Sequence, residues 1–126
     1  MQVDYIHRFI TSMVFTTSIE TLTLVLLLAY VFKKHSSKIS DVIVAGFFAS
    51  FMTIPYVWFV FPYLTHWTRS TSFLVSEPTV FLIEAIFYNR YLKVNIKTAF
   101  VLSFICNLVS YFVGPLLRTY GLWIYW

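Results

Sequence analysis

Hydrophobic residues occur in four long stretches, and each stretch carries its most polar residue near its midpoint. The stretches cover about residues 9–32, 42–64, 73–92 and 98–117. A helix that spans a bilayer needs ~20 mostly apolar residues, so each stretch is about long enough to cross one. Short loops between the stretches predict that successive helices are antiparallel neighbours. The pattern therefore predicts an all-α, polytopic membrane protein, with residues 1–126 forming a single domain built as an antiparallel bundle of four transmembrane helices.

The polar residues at the four midpoints are Glu20, Thr53, Glu84 and Asn107. A charged side chain at the centre of a bilayer costs ~2.5–3.5 kcal/mol or more, so such residues usually face protein or water. Each midpoint residue shares a helix face with further small or polar residues at spacings of three and four. We therefore expect the four residues to form one buried polar layer, with Glu84 within hydrogen-bond reach of Glu20 or Asn107.

This layer has more than one functional interpretation. Burial favours the neutral form of a carboxylic acid, and a second carboxylate nearby favours it further, so the layer could bind and release protons as transport sites do. Alternatively, hydrogen bonds between the helices could simply fix their register. No basic residue occurs at a matching depth in the sequence, so the layer could also receive a cation or the Arg or Lys of a partner subunit.

Prolines make the helix boundaries uncertain at two places. Pro55 removes one backbone hydrogen bond and predicts a kink in the second helix. Pro78 fits the first turn of the third helix, with Ser76 or Glu77 as its cap. A third helix that starts there would span only ~22 Å at 1.5 Å per residue. The alternative is that residues 73–75 already belong to this helix and precede a kink.

Composition agrees with a membrane protein. Hydrophobic residues make up 60% of the chain and charged residues 11%, more apolar surface than a soluble domain of this size can bury. The first stretch is longer than the core of a signal peptide, carries a central glutamate and is not followed by a small-residue cleavage site. We expect it to be a helix of the mature protein.

The net charge of +4 reflects the ends of the helices and gives no indication of nucleic-acid binding. Basic residues concentrate in the loops between helices one and two and between helices three and four, which lie on the same side of a four-span protein. This side would be cytoplasmic, which predicts a multi-pass protein of the cell membrane with both termini on the non-cytoplasmic side. The six residues of this side are Lys33, Lys34, Lys38, Arg90, Lys93 and Lys97, against Arg8, Arg69 and Arg118 on the other side.

A second set of polar residues could reach the outer surface, namely Asp4, His7, His66 and Glu77. Histidine and carboxylate ligands suit zinc or copper, but the spacing matches no recognised ligand motif, and whether a metal binds is left open. The sequence has no P-loop, GxGxxG, HExxH or GxSxG motif, and it indicates no cofactor. Cys106 is the only cysteine, which excludes an intrachain disulfide. These features favour a protein that is not an enzyme.

The length, the four predicted spans and Glu20 in the first of them resemble the small multidrug resistance transporters in layout. Of the residues of this family, only Glu20 would carry over. The tryptophan of the third helix is replaced by a glutamate-bearing segment, and the glycine pattern of the fourth helix is reduced to Gly114. The chain is therefore not identified as a member of this family.

The functional prediction is a small, non-catalytic integral-membrane subunit or assembly partner of a larger membrane complex. Large rings provide van der Waals contact, the main packing contribution in lipid, and the second helix is rich in them: Phe47, Phe48, Phe51, Phe59 and Phe61. We also expect an aromatic belt at the outer surface, which includes Trp58, Tyr63, Trp67 and Tyr120. The alternative is a proton- or cation-coupled small transporter that acts as a homo-oligomer through its buried carboxylates. The predicted partners are the lipid bilayer and other membrane subunits or further copies of the chain.

Overall fold

The computed structural model describes residues 2–32, 37–65 and 69–120, and in these residues all regular structure is helical. Helix α1 is followed directly by one π-helical turn, and a second π-helical turn joins α2 to the short helix α3. The bounds are α1 Gln2–Leu26 with the π-helical turn Leu27–Val31, α2 Ile39–Pro55 with the π-helical turn Tyr56–Val60, α3 Phe61–Thr65, α4 Arg69–Tyr91 and α5 Ile96–Thr119. The prediction of an all-helical protein is confirmed for the described residues.

Three helical segments of the described chain are long and apolar enough to span a membrane: Val3–Val31, Ile39–Tyr63 and Ile96–Leu116. Helix α4 is long enough, with 23 residues, but its composition is less apolar because it carries two glutamates and two arginines, Arg69 and Arg90. The sequence predicted four spans, and the structure supports the composition and length of three.

The position of Pro78 decides between the two starts predicted for the third helix. Helix α4 begins at Arg69 and Pro78 lies inside it, so the prediction of a start at Pro78 with Ser76 or Glu77 as cap is wrong. The helix continues through the proline because one of its faces is buried on both sides of it. Ser72, Ser76 and Val80, each four residues apart, are all less than a tenth exposed.

Four long helical segments pack in a ring, in which α1 contacts α2 and α5, and α4 contacts the same two helices. Helices α1 and α2 run antiparallel, since Tyr5 near the start of α1 bonds to Trp58 beyond the end of α2, while Thr21 lies beside Gly46. A Cβ atom on Gly46 would lie 2.9 Å from the Cα atom of Thr21. The absence of a side chain at Gly46 therefore allows the backbones of α1 and α2 to come close together at this point.

Two apolar clusters lie at opposite ends of the ring, with polar side chains between them. The loop-end cluster, named for the loops that join α1 to α2 and α4 to α5, comprises Leu24, Leu28, Val42, Ala45, Ala49, Tyr88, Leu92, Val94, Ala99, Leu102 and Cys106. The opposite cluster comprises Ile54, Val57, Trp58 and Val80 and packs against Tyr5, Phe9 and Met13. Trp58 is thus a core residue and not part of an exposed belt, because its indole packs edge-on against the rings of Tyr5 and Phe9.

Candidate functional site

Glu20 lies on α1 with 2% of its surface exposed, and its two carboxyl oxygens each face a serine hydroxyl. Ser50 of α2 donates a hydrogen bond to Oε2. Ser110 of α5 lies with its Oγ 2.9 Å from Oε1. The carboxyl of Glu20 therefore joins α1 to two other helices.

Glu84 lies on α4 with 1% of its surface exposed, and it joins the same two helices to α4. The Oγ1 atom of Thr53 on α2 is 3.0 Å from Oε1 of Glu84. The amide Nδ2 of Asn107 on α5 donates to Oε2 of Glu84 at 2.7 Å. No direct hydrogen bond joins Glu84 to Glu20 among the contacts of the described residues.

Hydrogen bonds between side chains and backbone oxygens of α5 connect the surroundings of Glu20 with those of Glu84. The Oγ of Ser110, which faces Glu20, is also 3.0 Å from the backbone oxygen of Asn107, whose side chain bonds to Glu84. Asn107 Nδ2 also donates to the backbone oxygen of Ser103 at 2.8 Å. We refer to the side chains of Glu20, Ser50, Thr53, Glu84, Asn107 and Ser110 as the polar layer, to which all four long helical segments contribute.

The structure thus brings together all four midpoint residues named from the sequence. It also adds Ser50 and Ser110, which the sequence placed on the inward faces of their helices without identifying them as partners of Glu20. Their spacing in the sequence indicated that they share a helix face with the midpoint residues, since Ser50 lies three residues before Thr53 and Ser110 three residues after Asn107. What the sequence could not supply was the rotation of α1 relative to α2 and α5.

Both carboxyl groups are bonded only to neutral donors of the same chain. No Lys, Arg or His of the described residues forms a hydrogen bond or ion pair with Glu20 or Glu84. Helix α4 carries one further carboxyl group, that of the half-buried Glu77, two turns before Glu84. The layer is therefore an acidic site that is satisfied by hydroxyl and amide groups and not by a counter-charge.

Four buried hydroxyls of the described residues have no hydrogen-bond partner, those of Thr17, Thr21, Ser72 and Tyr88, and the last lies one turn after Glu84 on α4. The Tyr88 side chain is 0% exposed, and its hydroxyl bonds to nothing in the described chain. Tyr88 follows Glu84 by one turn, and helical side chains lean towards the preceding turn, which directs its ring towards Glu84. Burial without a partner costs about 1–3 kcal/mol for a polar group, so this arrangement calls for a physical reason.

The outer-surface residues named from the sequence do not come together in the described chain. Asp4 and His7 are exposed on α1, Glu77 is half-buried on α4, and His66 lies outside the described residues. Within the ranges 2–32, 37–65 and 69–120, no three side chains of His, Cys, Asp or Glu are close enough to hold a metal ion. Cys106 is free and buried beside Asn107, where its thiol packs in the loop-end cluster.

Comparisons of the chain with models of protein families, with curated proteins and with solved structures found no match. The layout that resembles the small multidrug resistance transporters therefore has no support from a family match.

Proposed function

We propose that this chain is a small, non-catalytic integral-membrane protein that crosses the bilayer four times and acts as a subunit or assembly partner of a larger membrane complex. The observation that carries the proposal is that the polar layer is satisfied within the chain, while the outer surface is apolar. A polar layer that is already bonded can hold four helices together without taking part in a reaction.

Helix α4 is the fourth span in this proposal. Its 23 residues correspond to about 35 Å at 1.5 Å per residue, which exceeds the ~30 Å of hydrocarbon in a typical bilayer. The Glu84 side chain faces α2 and α5 and would not contact lipid. The exposed side chains on its other face are apolar, namely Leu74, Val75, Leu82, Ile83 and Ile86.

The aromatic surface of α2 supports the role of an assembly partner. Phe47, Phe48 and Phe51 are each 45–47% exposed, and the rings of Phe47 and Phe51 stack against each other at 5.4 Å. Exposed apolar patches of this kind mark sites that contact proteins or membranes. Aromatic rings also supply the van der Waals contact on which association within lipid depends.

Purification in mild detergent followed by native mass spectrometry tests the proposal. We expect the chain to be isolated with a stoichiometric partner, and the double variant Phe47→Ala and Phe51→Ala to lose it. The matched control is Phe104→Ala with Phe112→Ala on α5, two rings of similar or greater exposure. A chain that is isolated only as a monomer or homodimer contradicts the proposal.

The topology is tested independently of the partner. In a background without Cys106, Ser37→Cys should be protected from membrane-impermeant thiol reagents added to whole cells, and Ser70→Cys should react. This outcome places both termini on the non-cytoplasmic side, as the distribution of basic residues predicts. Labelling at position 37 and not at position 70 would show that the protein has the opposite orientation.

A second candidate function is a proton- or cation-coupled transporter that works as a homo-oligomer. The observation in its favour is that two carboxyl groups share one buried layer without a counter-charge. Reconstituted protein would then move protons or substrate across liposomes, and Glu20→Gln or Glu84→Gln would abolish the flux. Flux that persists in both single variants and in the double variant contradicts this candidate.

A further inference from the structure

The two carboxyl groups of the polar layer have matching surroundings. In each, one oxygen accepts a hydrogen bond from a donor that is not shared with a second carboxyl group, and the other oxygen faces a hydroxyl that has a backbone oxygen as a second possible acceptor. For Glu84 the fixed donor is Asn107 Nδ2, an amide nitrogen that can only donate. For Glu20 it is the Ser50 hydroxyl, which has no other hydrogen bond in the described chain.

Thr53 faces two acceptors with a single proton. Its Oγ1 lies 3.0 Å from Oε1 of Glu84 and 2.9 Å from the backbone oxygen of Ala49. A hydroxyl has one donor and can accept through its lone pairs, so it can donate to only one of these oxygens at a time. When Glu84 is ionised, Thr53 donates to it. When Glu84 is protonated, Glu84 donates to Thr53, and Thr53 donates to Ala49.

Ser110 has the same two roles towards Glu20. Its Oγ lies 2.9 Å from Oε1 of Glu20 and 3.0 Å from the backbone oxygen of Asn107. A protonated Glu20 donates to Ser110, which then donates to Asn107. An ionised Glu20 accepts from Ser110. Every donor of the polar layer therefore keeps an acceptor whether a carboxyl group is protonated or ionised. The change between the two states requires only the rotation of a hydroxyl.

Tyr88 is a buried, unpaired donor one turn after Glu84 on α4. Its buried hydroxyl is a donor with no acceptor in the arrangement described. Helical side chains lean towards the preceding turn, and for Tyr88 that turn carries Glu84. An ionised carboxylate needs several donors when it is buried, and Tyr88 is an additional donor available to Glu84 in that state.

The groups that face the layer favour a proton over a metal ion as its ligand. The amide nitrogen of Asn107 can only donate, so its hydrogen points at Oε2 of Glu84 and would repel a metal cation there. The titratable groups nearby are Glu77 and Tyr88 on α4 and Cys106 on α5, while α2 contributes only hydroxyls. None of these carries a positive charge.

We propose that the polar layer is a proton-binding site, in which Glu20 and Glu84 take up and release protons at Oε1 while Ser110 and Thr53 reverse the direction of their hydrogen bonds. On uptake, an O–H bond forms at the carboxyl, and the hydroxyl proton turns from the carboxyl to the backbone oxygen without breaking a covalent bond. This inference does not depend on whether the chain is a subunit or a transporter.

Infrared difference spectroscopy of the protein in liposomes tests this inference. A protonated carboxyl has a C=O stretching band that a carboxylate lacks, and the chain has only five acidic side chains to which bands can be assigned. We expect a protonated-carboxyl band that decreases as the pH is raised and returns when it is lowered. A band that is absent, or constant, at every pH at which the protein stays helical overturns the inference.

Variants assign the band to the layer. Glu20→Gln and Glu84→Gln should each remove one component of it, while Glu77→Gln, in the half-buried neighbour, should leave both components in place. Thr53→Val removes the acceptor of the Glu84 proton and should shift the Glu84 component. Thr53→Ser, which keeps the hydroxyl, and Thr79→Val, at an exposed threonine bonded only to the backbone of Val75, should not shift it. A titrating band that survives both glutamate variants would belong to another group and overturns the inference.

Discussion

The polar layer and the loop-end cluster are equally buried, but they stabilise the fold in different ways. Leu24 and Leu102 in the cluster are 0% exposed, as is Ser50 in the layer, and Glu84 is 1% exposed. Lipid tails are as apolar as leucine, so in a bilayer the cluster gains stability from close packing and not from leaving water. The hydrogen bonds of the layer are directional and specify which helix faces lie opposite each other.

The comparison teaches that helix proximity and helix register depend on different residues. The loop-end cluster contains Ala45, Ala49 and Ala99, each 0–1% exposed, and small residues let helices approach closely. The polar layer then fixes the rotation of each helix, because Glu20 and Glu84 must meet donors on α2 and α5. The predictions that follow test the two contributions separately, from the largest expected effect to the smallest.

Gly46→Ala should have the largest effect, because it acts on the approach of α1 and α2. The new Cβ would lie 2.9 Å from the Cα atom of Thr21, a backbone atom that cannot rotate away. Overpacking of a tight contact costs about 1–3 kcal/mol. The measurement is the free energy of unfolding by SDS titration in bicelles. Ala29→Val, which adds methyl groups at an exposed position, is the control and should change stability little.

Glu84→Leu should have a smaller effect, about 1 kcal/mol, because membrane hydrogen bonds contribute modestly. The donors it leaves behind have other acceptors, since Thr53 can donate to Ala49 and Asn107 keeps its bond to Ser103. Glu84→Gln should be nearly silent in the same unfolding experiment, because an amide can both donate and accept. A large loss in Glu84→Gln would show that the layer requires a charge.

A double-mutant cycle between Glu84 and Asn107 isolates one bond of the layer. We expect a coupling free energy of about 0.6 kcal/mol, and at most about 1.7 kcal/mol, in line with bonds between membrane helices. The variants are Glu84→Leu, Asn107→Leu and the pair. A control cycle between Glu84 and Ser18, which is exposed on α1 and bonds to its own helix, should give no coupling.

The sequence predicted which residues form the polar layer better than it predicted how they are arranged. Polar residues in the middle of apolar stretches indicated Glu20, Thr53, Glu84 and Asn107, because a charge at that depth must avoid lipid. The helix boundaries were harder to predict from the sequence. Pro78 is a strong local signal for a helix start, but the buried positions Ser72 and Ser76 keep α4 helical through it.

The pairing of the layer could not be read from the sequence. Spacing gives the face of each helix but not the rotation of one helix against another, so the partners of Glu20 and of Glu84 stayed open. The burial of Trp58 was likewise unpredictable, because it depends on the rings of Tyr5 and Phe9, which are about fifty residues away in the chain.

Tyr88→Phe should have the smallest effect and the opposite sign. Its hydroxyl is buried without a partner in the arrangement described, so at a pH at which Glu84 is protonated its removal should leave the free energy of unfolding unchanged or raise it. Tyr91→Phe, on an exposed tyrosine in the last turn of the same helix, is the control and should change little. A clear loss of stability in Tyr88→Phe would mean that the hydroxyl has a partner in the folded protein.

The contact between Glu84 and Asn107 is the most direct test of a polar layer enclosed by the helices. Solid-state NMR on protein in lipid bilayers, with carbon-13 in the glutamate carboxyl groups and nitrogen-15 in the asparagine amides, measures their dipolar coupling. The account predicts one strong coupling, since Nδ2 of Asn107 lies 2.7 Å from Oε2 of Glu84, and predicts its loss in Asn107→Leu. No coupling, or one that persists in Asn107→Leu, would contradict the enclosed layer.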